Sequence, residues 1–238
     1  MMVNFPFQRL QSDLASLISK TTAGERLPSE PNLARRLGVS RATLREAMRT
    51  FEVQGLIRRR QGSGTFVVGK MPVIEAGLEL LESLETMAER LGLEVTVSDL
   101  HIESLPADAD AASALEVEQG TPLTRIRRVM SEDSRPVAYL VDTLRAETLD
   151  AGELSPDFRG SVLDFLIKRG DPLRLSRAAI SAIAAPAPVA KALQIQRGDV
   201  LLEFISKLYH EDGSILDHAT SHFIPGYFRF HVVRRVRA

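Results

Sequence analysis

Residues 27–68, opening Leu27-Pro28-Ser29-Glu30, decide the reading of this chain, because three signals follow one another inside them. The first is a short helical run over 29–37. Ser29 can cap it, and Pro31 is tolerated in the opening turn, where its missing N–H would have no helical partner. Gly38 then permits a tight turn, since it enters left-handed backbone without a Cβ penalty. The second run starts at Ser40, a good N-cap, and places Leu44, Ala47, Met48 and Phe51 at i, i+3, i+4 and i+7, which makes one apolar face. Arg41, Arg45 and Arg49 recur one turn apart on the outward stripe, and Gly55 supplies a stop. Third come two short strand patterns, 56–59 and 65–68, around Gln61-Gly62-Ser63-Gly64. An arginine row alone is ordinarily a solvated surface. A short helix, tight turn, capped arginine helix and basic hairpin together predict a winged helix-turn-helix, whose second helix lies in the DNA major groove.

Charge supports that reading. The formal net charge of −1 conceals a division: residues 1–70 carry 12 Lys/Arg and 5 Asp/Glu, and the rest of the chain carries 18 and 26. A basic head on an acidic body confines phosphate binding to one end, because neutralised phosphates supply most non-specific DNA affinity. Tryptophan is absent and aromatics make up 5%, so no stacking platform for single strands is evident. Zero cysteines exclude disulfides, thiolate metal sites and cysteine nucleophiles. No apolar run reaches the ~20 residues a membrane helix needs, and the opening Met1-Met2-Val3-Asn4-Phe5-Pro6 has neither a basic nor an apolar signal region. The expectation is a cytoplasmic protein with no membrane partner.

The pattern along the chain predicts three segments: a DNA-binding domain over 1–69, a linker and connecting helix over 70–92, and a second domain over 93–238. An amphipathic helix over 8–20 precedes the motif, and the connecting helix is expected over 74–91. The second domain contains an internal repeat. Ala114-Leu115-Glu116-Val117-Glu118-Gln119-Gly120-Thr121-Pro122-Leu123 resembles Ala192-Leu193-Gln194-Ile195-Gln196-Arg197-Gly198-Asp199-Val200-Leu201 at one constant offset, with Ala114 matching Ala192 and Leu123 matching Leu201. Strand-like runs at 94–104, 122–130, 137–144, 173–184, 200–209, 215–223 and 228–236 predict one antiparallel sheet with helices on it, an α+β domain. His218 and His222 are four apart, but on a strand pattern, so no metal site is predicted. Neither a nucleotide-binding loop nor a nucleophile turn is present, and no cofactor is expected.

Three segments in order and spacing, Leu27-Pro28-Ser29-Glu30, Val39-Ser40-Arg41-Ala42-Thr43-Leu44-Arg45-Glu46-Ala47 and Gln61-Gly62-Ser63-Gly64-Thr65-Phe66-Val67, resemble the N-terminal domain of the GntR family of bacterial transcription regulators. The remainder resembles, more diffusely, the UTRA effector domain of the HutC subfamily, which has a chorismate-lyase-like fold. The resemblance rests there on Gly120-Thr121-Pro122-Leu123, Gly198-Asp199-Val200-Leu201, Arg135-Pro136-Val137 and Tyr227-Phe228-Arg229-Phe230. It implies operator contacts from Ser29, Ser40, Arg41, Thr43, Arg45 and Arg49, and from Arg60, Gln61, Gly62, Ser63 and Gly64 in the wing. Arginine forks fit guanine O6 and N7, and first-turn hydroxyls can hold a phosphate. Pro31 stands where family members often carry a DNA-contacting arginine.

The resemblance also implies a small-molecule effector and a homodimer. Sugar-phosphate-responsive relatives use two arginines, matched here by Arg128 and Met130. Their acidic sugar-binding residue falls at Leu140, and the common Arg-Gly-Asp-Arg run reads Ile224-Pro225-Gly226-Tyr227. These departures favour a less polar or singly anionic effector. Arg128, Tyr139, Ser176 and His222 are the expected pocket residues. The reading is therefore a regulator, expected to repress, and not an enzyme. The alternatives are an enzyme of chorismate-lyase-like fold fused to a DNA-binding domain, and an architectural DNA binder that takes no ligand.

Overall fold

The computed structural model describes residues 6–60, 63–68, 74–154, 158 and 160–234. The chain divides into two compact units, Met1–Val73 with Pro225–Tyr227 and Ile74–Ile224 with Phe228–Ala238. In the first, α1 (Pro6–Lys20), α2 (Glu30–Leu37) and α3 (Arg41–Val53) precede a hairpin of β1 (Ile57–Arg60) and β2 (Gly64–Val67). The strands run antiparallel with Ile57 opposite Val67 and Arg60 opposite Gly64. Leu14, Leu27, Leu33, Leu44, Met48 and Ile57 are fully buried, one or more from nearly every element. Each contributes about 1.5–3 kcal/mol by leaving water, so the helices hold one another rather than standing alone. Gly38 ends α2 in left-handed backbone (φ +67°), as the tight turn requires. Ser40 caps α3, its Oγ accepting from the Thr43 N–H at 3.1 Å. Ser29 departs from expectation: it sits at the N-cap of α2 but its side chain makes no capping bond.

The second unit opens with β3 (Ile74–Gly77) and α4 (Leu84–Arg90), capped by Ser83. These replace the continuous connecting helix expected over 74–91. The reason is a partner remote in sequence: β3 pairs in parallel with β10 (Phe228–His231), from Ile74 opposite Phe228 to Gly77 opposite His231. Between them run β4 (Val95–Pro106), α5 (Ala109–Leu115), β5 (Pro122–Glu132), β6 (Arg135–Arg145), α6 (Val162–Arg169), β7 (Leu173–Ala184), α7 (Ala187–Ala192), β8 (Val200–His210) and β9 (Ile215–Phe223). One six-stranded antiparallel sheet results, in the order β4-β5-β6-β9-β8-β7. The seventh expected strand, β10, lies outside it.

That order is two copies of one unit laid side by side. β4-α5-β5-β6 and β7-α7-β8-β9 meet at the β6–β9 pair, which forms the middle of the sheet. The repeat extends to single hydrogen bonds. Ala107 N–H reaches Thr121 O (2.9 Å) and Gly120 N–H returns to Ala107 O (2.8 Å); at the matching positions of the second copy, Ala185 reaches Asp199 (2.7 Å) and Gly198 returns to Ala185 (3.0 Å). Glu116 and Gln194, equivalent in the repeat, both adopt left-handed backbone at φ +56° and +54°.

Candidate functional site

Two surfaces are candidates, one in each unit. In the first, burial of Leu44, Ala47, Met48 and Phe51 turns the opposite face of α3 outward. Ser40, Arg41, Thr43 and Arg45 are exposed on it. Ser40 Oγ and Thr43 Oγ1 lie 2.8 Å apart, a pair of hydroxyls at the helix N-terminus, where backbone N–H groups also favour an anion. Arg45 pairs with Glu30 at 2.7 Å, and Arg49 is half-buried and pairs with Glu46 at 3.3 Å. In the hairpin Arg60 is exposed, its guanidinium carbon 5.3 Å from the Phe66 ring centroid. Ser63 is also exposed. Gly64 has φ +112°, and a Cβ there would collide with the Arg26 guanidinium, a charge that motif reading missed. Ser29 is exposed at the start of α2. Gln61 and Gly62 lie outside the described residues. Exposed Arg, Ser and Thr groups on a helix face of this kind can meet phosphates and base edges together.

The second surface is a 590 Å³ cavity in the other unit. Its floor is one face of the sheet, and residues 78–87 with the start of α6 wall it. Strand alternation decides which side chains reach it. Along β9, Asp217, Ala219, Ser221 and Phe223 line the cavity, and Phe204, Ser206 and Leu208 do so along β8. Arg128 on β5 and Ser176 on β7 line it too. Tyr139 and His222 do not. They are register partners on the opposite face, with ring centroids 6.3 Å apart, and His222 Nε2 is 3.2 Å from Glu203 Oε2. This corrects the expectation of one four-residue pocket.

Arg128 is 6% exposed and locked among carboxylates. Its Nη1 donates to Asp142 Oδ2, and its Nε lies 3.5 Å from Glu85 Oε1 on α4. Burial works against the guanidinium charge, but Asp142 and Glu85 outweigh it and raise its pKa. Burial pushes the Glu85 carboxyl up, against the pull of Arg128. Asp217 is held well above the usual carboxylate range, first by burial and then by the charge of Asp142, although its Oδ1 accepts from the Thr143 N–H at 3.1 Å. Ser83 Oγ donates to Asp164 Oδ2 at 2.7 Å, which fixes the start of α4 against α6. Sequence reading missed Glu85, Asp142 and Asp217. The available signal was an aspartate inside each of two strand runs, β6 and β9, in a sheet that also carries Arg128.

Comparison with known proteins bears on both surfaces. Residues 7–67 match the family described as bacterial regulatory proteins, gntR family, and residues 90–229 match the UTRA domain. The chain is 29% identical over 198 residues to the HTH-type transcriptional repressor NagR of Bacillus subtilis, covering 82% of this chain and 79% of that one. It is 31% identical to the HTH-type transcriptional regulator Rv0792c of Mycobacterium tuberculosis, covering 88% of this chain and 77% of that one. The crystal structure of PhnF from Mycobacterium smegmatis shares the fold, with a TM-score of 0.65 at 23% identity over 96% of this chain and 100% of that one. Among the described residues no helix is long and apolar enough to cross a membrane.

Proposed function

We propose a mechanism for a chain that belongs to the GntR family of bacterial regulatory proteins, in the HutC arrangement of a DNA-binding domain followed by a UTRA domain. It is a DNA-binding transcription regulator and not an enzyme. We read it as a repressor, working in the cytoplasm, with residues 1–69 reading the operator and the second unit binding effector, residues 78–87 of the expected linker included. Ser40, Arg41, Thr43 and Arg45 meet the major groove and its flanking phosphates, and Arg60, Ser63 and Gly64 carry the wing. The observation that carries this reading is α3, whose apolar face is buried and whose cap is made while Arg41 and Arg45 stay exposed.

The cavity over the UTRA sheet is the effector site in this reading, with Arg128 and Ser176 among its walls. Its occupant controls DNA binding only through unequal affinity for the competent and incompetent states. The regulator acts as a homodimer on a two-fold operator. The 12-residue edge strand β7 supports a dimer: it is exposed along nearly its whole length, carries no proline or mid-strand bulge, and is uncharged from Ala178 to Ala184, its two arginines lying in its first half. β4, the other edge, is interrupted by a register shift between Ser98 and His101.

Selection from a randomised duplex library by the full chain tests this. The expected result is a palindromic motif with two half-sites, lost when Arg41 and Arg45 are both alanine. A library that enriches nothing, or the same motif recovered by the double variant, would contradict it.

A further inference from the structure

The walls of the cavity are divided by chemistry along the strands. On β9 the lining positions run Asp217, Ala219, Ser221, Phe223, a span of about 20 Å at the rise of a strand. One end is acidic. Asp217 and Asp142 stand on neighbouring strands, Glu85 closes over them from α4, and Arg128 is the guanidinium buried with them. The middle is floored by small side chains, Ala219 and Ser221 beside Ser206 and Ala178, and their size gives the cavity its depth. The far end is aromatic. Phe204, Phe223 and Phe230 pack with ring centroids 4.4 to 5.1 Å apart.

Charge bookkeeping at the acidic end leaves an excess of carboxyl groups. Arg128 donates through Nη1 to Asp142, while its buried Nε makes no hydrogen bond among the described residues and lies 3.5 Å from Glu85 Oε1. Glu85 Oε1 is buried and accepts no hydrogen bond from the described residues. Asp217 accepts from the backbone of Thr143, shares a side-chain hydrogen bond with Asp142 and feels the Arg128 charge, but has no ion pair of its own among the described residues. Arg174, the other guanidinium lining the cavity, is exposed on the edge strand β7. An anionic ligand head at Arg128 would have to displace Asp142 and then meet two further carboxyl groups at close range. A cationic head meets them with opposite charge and supplies the donors that Glu85 and Asp217 can accept.

We propose that the effector is an amphipathic cation, with an ammonium or amidinium head held by Asp217, Asp142 and Glu85. Its aromatic or aliphatic body lies over Ala219 and Ser206 towards Phe204, Phe223 and Phe230. The proposal rests on the reading of this cavity as the effector site. It reverses the expectation of a singly anionic effector, which rested on Arg128 taken without its neighbours. Burial and then the charge of Asp142 hold the Asp217 carboxyl well above its usual range, and burial pushes Glu85 up, so a bound ammonium shifts both towards their charged forms.

Three probes on one phenylpropyl frame test the head group on the full chain: 3-phenylpropylamine, 3-phenylpropionate and 3-phenylpropanol, followed by thermal shift and calorimetric titration. The amine is expected to raise Tm and to bind at least tenfold tighter than the propionate. Asp217→Asn should weaken the amine about tenfold and leave the alcohol unchanged. Equal or tighter binding of the propionate overturns the proposal, and so does failure of the amine to bind. If Asp217→Asn does not fold, the ranking of the three probes on the unaltered chain decides alone. Ala219→Phe separates this proposal from the reading beneath it, because the ring fills the cavity floor. If it changes affinity for the selected duplex while the amine fails to bind, the cavity remains the control site and only the cation assignment falls. If it changes nothing and no probe binds, both fall.

Discussion

Arg41 and Arg128 are the same side chain put to opposite uses, and the difference lies in what surrounds each. Arg41 stands exposed on a helix whose other face is sealed by Leu44, Ala47 and Met48. Arg128 lies on β5, one strand in from the edge of the sheet, 6% exposed, its charge answered by Asp142 and Glu85. The first arginine is available to a polyanion and costs little to keep. The second was desolvated on folding, and only its carboxylate partners make that tolerable. Burial, not residue type, separates a guanidinium that reads from one that holds a wall together.

The largest test of this contrast is Arg128→Ala, which strands Asp142 in a buried site. Loss of one partner from a buried pair costs about 3–5 kcal/mol, and urea unfolding should register it. Arg128→Met combined with Asp142→Leu and Glu85→Leu should recover most of that loss, since a buried ion group replaced whole by apolar groups is often near neutral. If the single variant unfolds like the parent, Arg128 is not the holding group described.

Asp217 sharpens the contrast through pH. Its folded pKa is raised, so its contribution to stability is complete below the unfolded value of about 4 and is lost as pH rises through the folded value. Asp217→Asn should therefore gain stability over the parent increasingly as pH climbs above about 4. Denaturant midpoints measured at several pH values check this, and parallel curves would contradict it. In the first unit, Ser40→Ala removes the α3 cap and should cost about 1 kcal/mol in thermal unfolding. Smallest is Glu30→Gln, which frees Arg45 from its 2.7 Å ion pair. Exposed pairs are worth about 0–1 kcal/mol, so duplex affinity in anisotropy titrations should rise by no more than a few-fold.

The two regions also differ in how far they can be read from sequence. The first unit is built from local signals: the Ser40 cap, the Gly38 turn and the period of Leu44, Ala47, Met48 and Phe51 each lie close in the chain to what they determine. The repeat in the second unit is legible for the same reason, being a short helix and turn, and β7 and β9 fall where alternation puts them. What fails is non-local. Residues 74–77 look helical with those that follow, but their partner, β10, lies at the opposite end of the second unit's sequence. The expected pocket groups Tyr139 with Arg128, yet strand register sets Tyr139 opposite Val129 and Leu140, which lines the cavity, opposite Arg128. A slip of a single position moves a side chain to the other face of the sheet. Asp142 and Asp217 are invisible as a pair for the same reason: α6, β7, α7 and β8 all intervene in the chain between two groups that the β6–β9 pairing makes neighbours.

The most direct measurement is the salt dependence of affinity for the selected duplex, compared between the parent chain and Arg41→Gln. An arginine at the DNA surface should, when neutralised, lower affinity by about 1–3 kcal/mol and reduce the slope of log affinity against log salt by about one, with Tm unchanged. Unchanged affinity and slope would show that α3 does not face DNA, and would remove the distinction between the two arginines on which the account stands.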